Sequence, residues 1–154
     1  MDWKYDRRRR KSGVLAMSNN ELKVSLRVVG DELSPEEITR ILGCQPTECR
    51  KKGDEIESKR FIRKAPTGVW LLRSNGASTI DDAVSSLLDQ VSNDPSVWQK
   101  LTKQFRAEFF VGIFSGTTQV GITLTASTIQ RLSELGLSMG LDVYCNAEAS
   151  SATT

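Results

Sequence analysis

Residues Leu22–Gly43 read LKVSLRVVGDELSPEEITRILG, and the spacing of apolar residues changes once inside that stretch. Over Leu22–Val28 the apolar Leu22, Val24, Leu26 and Val28 alternate with Lys23, Ser25 and Arg27, the period of a strand with one buried face. After Gly30 the pattern becomes helical. Ser34 stands at a capping position, Pro35 fits the first helical position, and Glu37 completes a capping box with Ser34. Leu33 and Ile38 flank the cap as a hydrophobic staple, and Gly43 supplies a left-handed exit. A half-buried strand feeding a short, well-capped helix is therefore the expected local unit.

Downstream, Cys44–Gly68 contains Pro46, Gly53 and Pro66, with Phe61 and Ile62 as a short apolar patch among basic residues. A long loop or ragged hairpin is expected there. Val69, Trp70, Leu71 and Leu72 read as a strand covered on both faces and central in a sheet. Ile80, Ala83, Val84, Leu87, Leu88 and Val91 lie on one helical face, and Asn93-Asp94-Pro95 ends that helix. Asp94 and Pro95 start the next, in which Val97, Trp98 and Leu101 share one side before Phe105. AEFFVGIFS (107–115) and QVGITLT (119–125), separated by Gly116-Thr117-Thr118, suit an antiparallel hairpin. A last helix carries Ile129, Leu132 and Leu135 and ends at Gly136; in the strand after it, Leu141, Val143 and Cys145 claim the inner face.

LSPEEITR (33–40) and LTASTIQR (124–131) echo each other, each after a strand. The order of elements predicts an α+β fold: a largely antiparallel sheet with helices packed on one face, two strand–helix–strand units of which would make a duplicated ferredoxin-like arrangement.

Gly30, Leu33, Pro35, Ile38, Leu42 and Gly43, then Pro46-Thr47, Gly53, Trp70 with Leu72, and finally Asp142 and Tyr144 resemble the pattern of the bacterial domain-of-unknown-function family 4279. The resemblance runs from about Leu22 to Tyr144. It implies a small bacterial cytosolic α+β protein and brings no reaction, cofactor or established site.

At 154 residues, 38% apolar and 26% charged, the chain has the size and composition of one globular domain, which excludes a disordered or fibrous chain. The expected organisation is a basic leader over 1–17, a single domain over 18–147 and a flexible tail over 148–154, with Met17 placed like a translation start. No apolar run approaches the roughly 20 residues that span a bilayer, and Val14–Met17 is too short for a signal-peptide core; a cytoplasmic protein with no membrane contact is expected. Cys44, Cys49 and Cys145 fit neither a disulfide framework nor a zinc site, so reduced thiols are expected. The absence of histidine removes every Ser-His or Cys-His mechanism.

Charge is unevenly spread. Residues 1–17 hold six basic and two acidic side chains, net +4, so a chain of net +2 leaves −2 for residues 18–154. Within those, 50–64 holds seven basic and three acidic, again +4, leaving −6 elsewhere. A basic loop on an acidic body concentrates positive potential, and Arg50, Lys51, Lys52, Lys59 and Arg60 are its candidate contacts for a partner or anion. Asp142 and Tyr144, two apart on a strand, project from the same face and form a second candidate pair, set against an ordinary polar sheet surface. Trp70 and Trp98 read as core before they read as stacking platforms. Asp81-Asp82 read as first-turn carboxylates before they read as metal ligands. Cys44 and Cys49 precede a basic cluster but have no histidine to act as base.

No catalytic, cofactor or metal residue is expected. The leading expectation is a non-enzymatic protein-binding module, of which an immunity-type protein whose acidic body masks a basic toxin is one version. The alternative is a sensor or enzyme for a small anionic ligand, with Arg50, Lys52 and Tyr144 gripping it in a pocket between the sheet and residues 44–67. Nucleic acid is not expected as a partner, because the folded part is net negative and lacks a continuous basic stripe.

Overall fold

The structure is a computed structural model and describes residues 20–145. Its elements are β1 (Glu21–Gly30), α1 (Pro35–Leu42), β2 (Glu48–Arg50), β3 (Glu55–Glu57), β4 (Ile62–Lys64), β5 (Gly68–Arg73), α2 (Ile80–Leu88), α3 (Pro95–Gln104), β6 (Arg106–Ser115), α4 (Ala126–Leu135) and β7 (Ser138–Cys145). Five strands form one sheet in the order β2-β5-β1-β6-β7, while β3 and β4 pair by themselves. All pairings in the large sheet are antiparallel except β6 with β7. The protein is thus α+β with a largely antiparallel sheet. The expected leader and tail lie outside the described residues.

The alternation in β1 orders the interior. Val24, Leu26 and Val28 point to one face, opposite Trp70 and Leu72 of β5 and Ala107, Phe109, Val111 and Ile113 of β6. All four helices bury their apolar residues against this same face: Ile38 and Leu42 of α1, Ala83, Val84, Leu87 and Leu88 of α2, Trp98 and Leu101 of α3, Leu132 and Leu135 of α4. Val69 and Leu71 point to the other face and are buried too, as expected for a strand held between β2 and β1. Both indole N–H groups are satisfied inside, Trp70 Nε1 donating to Thr39 Oγ1 at 3.1 Å and Trp98 Nε1 to the Ser92 carbonyl at 2.6 Å. Trp70 and Trp98 are core.

Gly43 takes φ 72° and ends α1, and Gly136 takes φ 68° and ends α4. Gly68 is required by a close approach, since a Cβ there would lie 2.7 Å from the Gly30 carbonyl oxygen. The strand–helix–strand units share helix geometry: each helix opens on a hydroxyl residue, Ser34 or Thr125, and closes on a left-handed glycine. They differ in pairing. β5 returns antiparallel to β1, whereas β7 returns parallel to β6.

Four expectations are corrected. Residues 119–125 form no strand. β6 is already paired on both sides, by β1 and β7, so the extended segment serves instead as part of the crossover that a parallel pair requires. Ser115 and Thr117 knit the turn, the Thr117 hydroxyl donating to the Gln119 carbonyl at 2.9 Å. The capping box at α1 does not form, because the Ser34 hydroxyl donates to Glu36 Oε2 at 3.0 Å while Glu37 lies 4.0 Å from Arg40. Ile129 is 53% exposed, and Thr128 faces inward in its place, its hydroxyl satisfied by Thr125. Finally, Leu141 and Val143 are 43% and 45% exposed and Cys145 is exposed. β7 is the outermost strand, and the principal helix contacts of α4 are with α2 and α3, so among the described residues the inner face of β7 is left uncovered.

Candidate interaction surface

The basic segment divides into two parts of different character. In the first, cations are matched within the chain. Glu48 bridges Arg50 at 2.9 Å and Arg73 at 2.8 Å, Lys51 lies 3.3 Å from Glu36, and Lys52 lies 2.8 Å from Asp31. Lys52 holds the Asp31 carboxyl below its usual range, and Asp31 in turn raises the Lys52 ammonium. Gly53, at φ 89°, turns the chain so that Asp54 accepts the Lys51 N–H at 2.7 Å. Exposed pairs of this kind contribute little stability, about 0–1 kcal/mol. Their consequence is electrostatic, since three of the five cations expected to attract a partner face a carboxylate instead.

The second part is the β3–β4 hairpin. Its register pairs Glu55 with Lys64, Ile56 with Arg63 and Glu57 with Ile62. At the tip the Ser58 N–H donates to the Phe61 carbonyl at 3.0 Å and the Phe61 N–H to Ser58 Oγ at 3.3 Å, leaving Lys59 and Arg60 on the outside of the turn. Reciprocal backbone bonds of Gly53 and Asp54 with Ala65 hold the base, at 2.9 and 2.7 Å. Among the described residues Lys59, Arg60, Arg63 and Lys64 make no ion pair. Phe61 and Ile62 are 60% and 64% exposed, more than any other large apolar side chain described. Their adjacency was legible as an apolar patch. Their exposure was not, because a two-residue run carries no period.

Asp142 and Tyr144 lie on the helix-free face of the sheet, as their spacing predicts. The Tyr144 ring stacks on Phe114, centroids 4.8 Å apart and planes at 9°, and its hydroxyl reaches Asp142 at 3.4 Å. Lys23 sits 5.3 Å over Phe114, and the Arg27 guanidinium lies 3.8 Å over Phe110. Desolvation lowers the Arg27 pKa and the neighbouring Glu108 opposes that shift. Sequence reasoning missed this aromatic and cationic row. Its signal was the period-two spacing of Phe110, Gly112 and Phe114 opposite the core-facing residues of β6.

Arg50 and Tyr144 do not converge. They stand on β2 and β7, opposite ends of the sheet with three strands between, so no single anion can be gripped by both. Two open clefts lie on the helical side, one of about 380 Å³ bounded by Glu37, Ile41, Val97 and Lys100, the other between α3 and α4. Neither contains a residue of 44–67.

Asp81 accepts hydrogen bonds from the Thr125 N–H and hydroxyl at 3.1 and 3.2 Å, tying the first turn of α2 to the cap of α4. The three cysteines are free, and burial pushes the Cys44 thiol up, away from the reactive thiolate.

A family model described as a domain of unknown function, DUF4279, matches residues 20–146. The chain belongs to that family. The match covers every element of the DUF4279 fold described above, from β1 through β7. Comparison of the chain with curated proteins and with solved structures finds no match.

Proposed function

We propose that this DUF4279 domain is a non-enzymatic protein-binding module and that its contact element is the β3–β4 hairpin. One observation carries the reading: Phe61 and Ile62 project into solvent between four cations without an acidic partner among the described residues. Exposed apolar anchors beside a local excess of positive charge, four cations against Glu55 and Glu57 on the facing strand, have the chemistry of an interface, where burial of the anchors sets affinity and the net charge sets encounter rate. The partner is a protein presenting an apolar pocket rimmed by Asp and Glu. A reducing, cytoplasmic setting suits the three free thiols.

The test begins with co-purification from the native host and identification of the bound protein, followed by binding kinetics with purified components. Phe61→Ser with Ile62→Ser is expected to weaken affinity about tenfold or more through faster dissociation. Lys59→Glu with Arg60→Glu is expected to slow association, with wild-type association falling as salt rises. Wild-type binding by both variants would overturn the reading. It would leave the immunity-type arrangement, in which the acidic body rather than the hairpin meets a basic toxin.

A further inference from the structure

The two ends of the sheet are built differently. β2 is three residues long and carries Glu48 and Arg50, a short, charged edge of the kind that resists pairing. β7 is eight residues long, pairs with β6 one-to-one without a bulge, and contains no proline, lysine or arginine. Every residue of β7 is exposed or half-exposed, on both faces, and Asp142 is its one charge. Alternate residues of such a strand direct their N–H and C=O groups away from the sheet, as a template for another strand. Among the described residues this edge lacks the usual devices against pairing.

We infer that the β7 edge binds the β7 edge of a second copy of this chain, antiparallel about a two-fold axis, giving one continuous ten-stranded sheet. A two-fold axis normal to the sheet keeps each residue on its own face, so opposed residues must come from the same alternating set. Centring the axis on Leu141 pairs the strand from Ser138 to Tyr144 throughout. On the helix-bearing face Met139 meets Val143, and Leu141 meets itself, an apolar row across the junction. On the other face Gly140 meets Asp142, and Ser138 meets Tyr144. The single charge thus faces a glycine. Centring on Asp142 would oppose two carboxylates, and centring on Gly140 would shorten the ladder to Ser138–Asp142. Charge pattern and overlap select the same register. This surface is separate from the hairpin and stands whether or not the hairpin binds a partner.

The register makes Gly140 the sensitive position. A Cβ there comes no closer than 3.9 Å to Phe110 and 4.0 Å to the Phe109 carbonyl, and the glycine has no positive φ, so side chains fit without strain. The full chain is measured by sedimentation equilibrium over a range of concentrations. The wild type is expected at twice the 17.1 kDa of one chain. Gly140→Asp, which faces a second carboxylate, is expected to weaken the dimer, and Gly140→Lys, which faces an opposite charge, to tighten it, each by roughly 2- to 30-fold for two symmetric cross-strand pairs. Leu141→Lys is expected to yield monomer with unchanged circular dichroism, and amide protection in β7 is expected to rise with chain concentration. A wild type that stays monomeric, or a dimer indifferent to the sign of charge at position 140, would overturn the inference. So would protection of β7 gained only when a different protein is added.

Discussion

Trp70 and Thr39 show how a residue read from periodicity acquires a partner that periodicity does not reveal. The strand pattern places Trp70 inside, and its buried indole N–H then needs an acceptor, which α1 supplies as the Thr39 hydroxyl. Thr39→Val keeps the shape and removes the acceptor. A loss of about 1–3 kcal/mol is expected in urea unfolding, the cost of a stranded buried donor. Trp98→Ala, which empties a fully buried site, is expected to cost about 3–5 kcal/mol. The cysteines form a graded set. Cys49 and Cys145 are exposed, whereas Cys44 is half-buried, donates to the Gln45 carbonyl at 3.4 Å and has a raised pKa. Titration of the native protein with a thiol reagent at pH 8 is expected to show two fast groups and one slow one, and Cys44→Ser to abolish the slow phase.

At the scale of elements, helices were legible where polar signals bracket the apolar period. α3 stands where Asp94–Leu101 place it; α2 starts at Ile80 as expected but ends at Leu88, so Val91 is buried from the turn after the helix, and Thr79 and Asp94 accept the N–H groups of Asp82 and Ser96 at 3.1 and 2.9 Å. The last third of the chain was read less well, for a definite reason. QVGITLT has the alternation of a strand, but alternation describes any extended segment that packs one side. Whether it pairs depends on a free neighbouring edge, and β6 offers none. The Asp81–Thr125 link likewise joins residues 44 apart in sequence. Asp81→Ala is expected to cost about 0.5–2 kcal/mol, the range for losing a capping interaction. The loss should concentrate in α4, seen as faster amide exchange at Thr125–Ile129.

Across the whole molecule, electrostatics was the least legible property. Counting charges along the chain locates a basic segment, yet Lys51 and Lys52 meet Glu36 and Asp31 across the connection between β1 and α1. The site therefore contracts from a 15-residue basic stretch to a hairpin tip. The same pairs set a pH dependence. Lys52 holds the Asp31 carboxyl below its ordinary value; a backbone N–H, the Ser34 hydroxyl and Lys51 do so for Glu36; the Ser96 hydroxyl and N–H do so for Asp94. A carboxyl with a depressed folded pKa releases its proton more readily folded than unfolded. Its contribution is complete above the ordinary carboxylate range, near pH 4, and is lost as pH falls through the folded values. Lys52, raised by Asp31, contributes fully at neutral pH and loses that contribution only as pH rises through its elevated value. Urea midpoints are expected to be flat from pH 7 to about pH 5 and to decline below. Asp94→Asn should reduce the decline, because the amide can still cap α3 but no longer titrates.

By itself the sequence determined the secondary-structure class, the position of β1, the four helices and the core that joins them, because burial on one face writes a period into a short run of residues. Only the tertiary structure decided which strands are neighbours, that β7 runs parallel to β6 and, among the described residues, is left open along its outer side, and which cations have no counter-ion among those residues. Those properties depend on groups brought together from distant parts of the chain, and no local pattern encodes a distance.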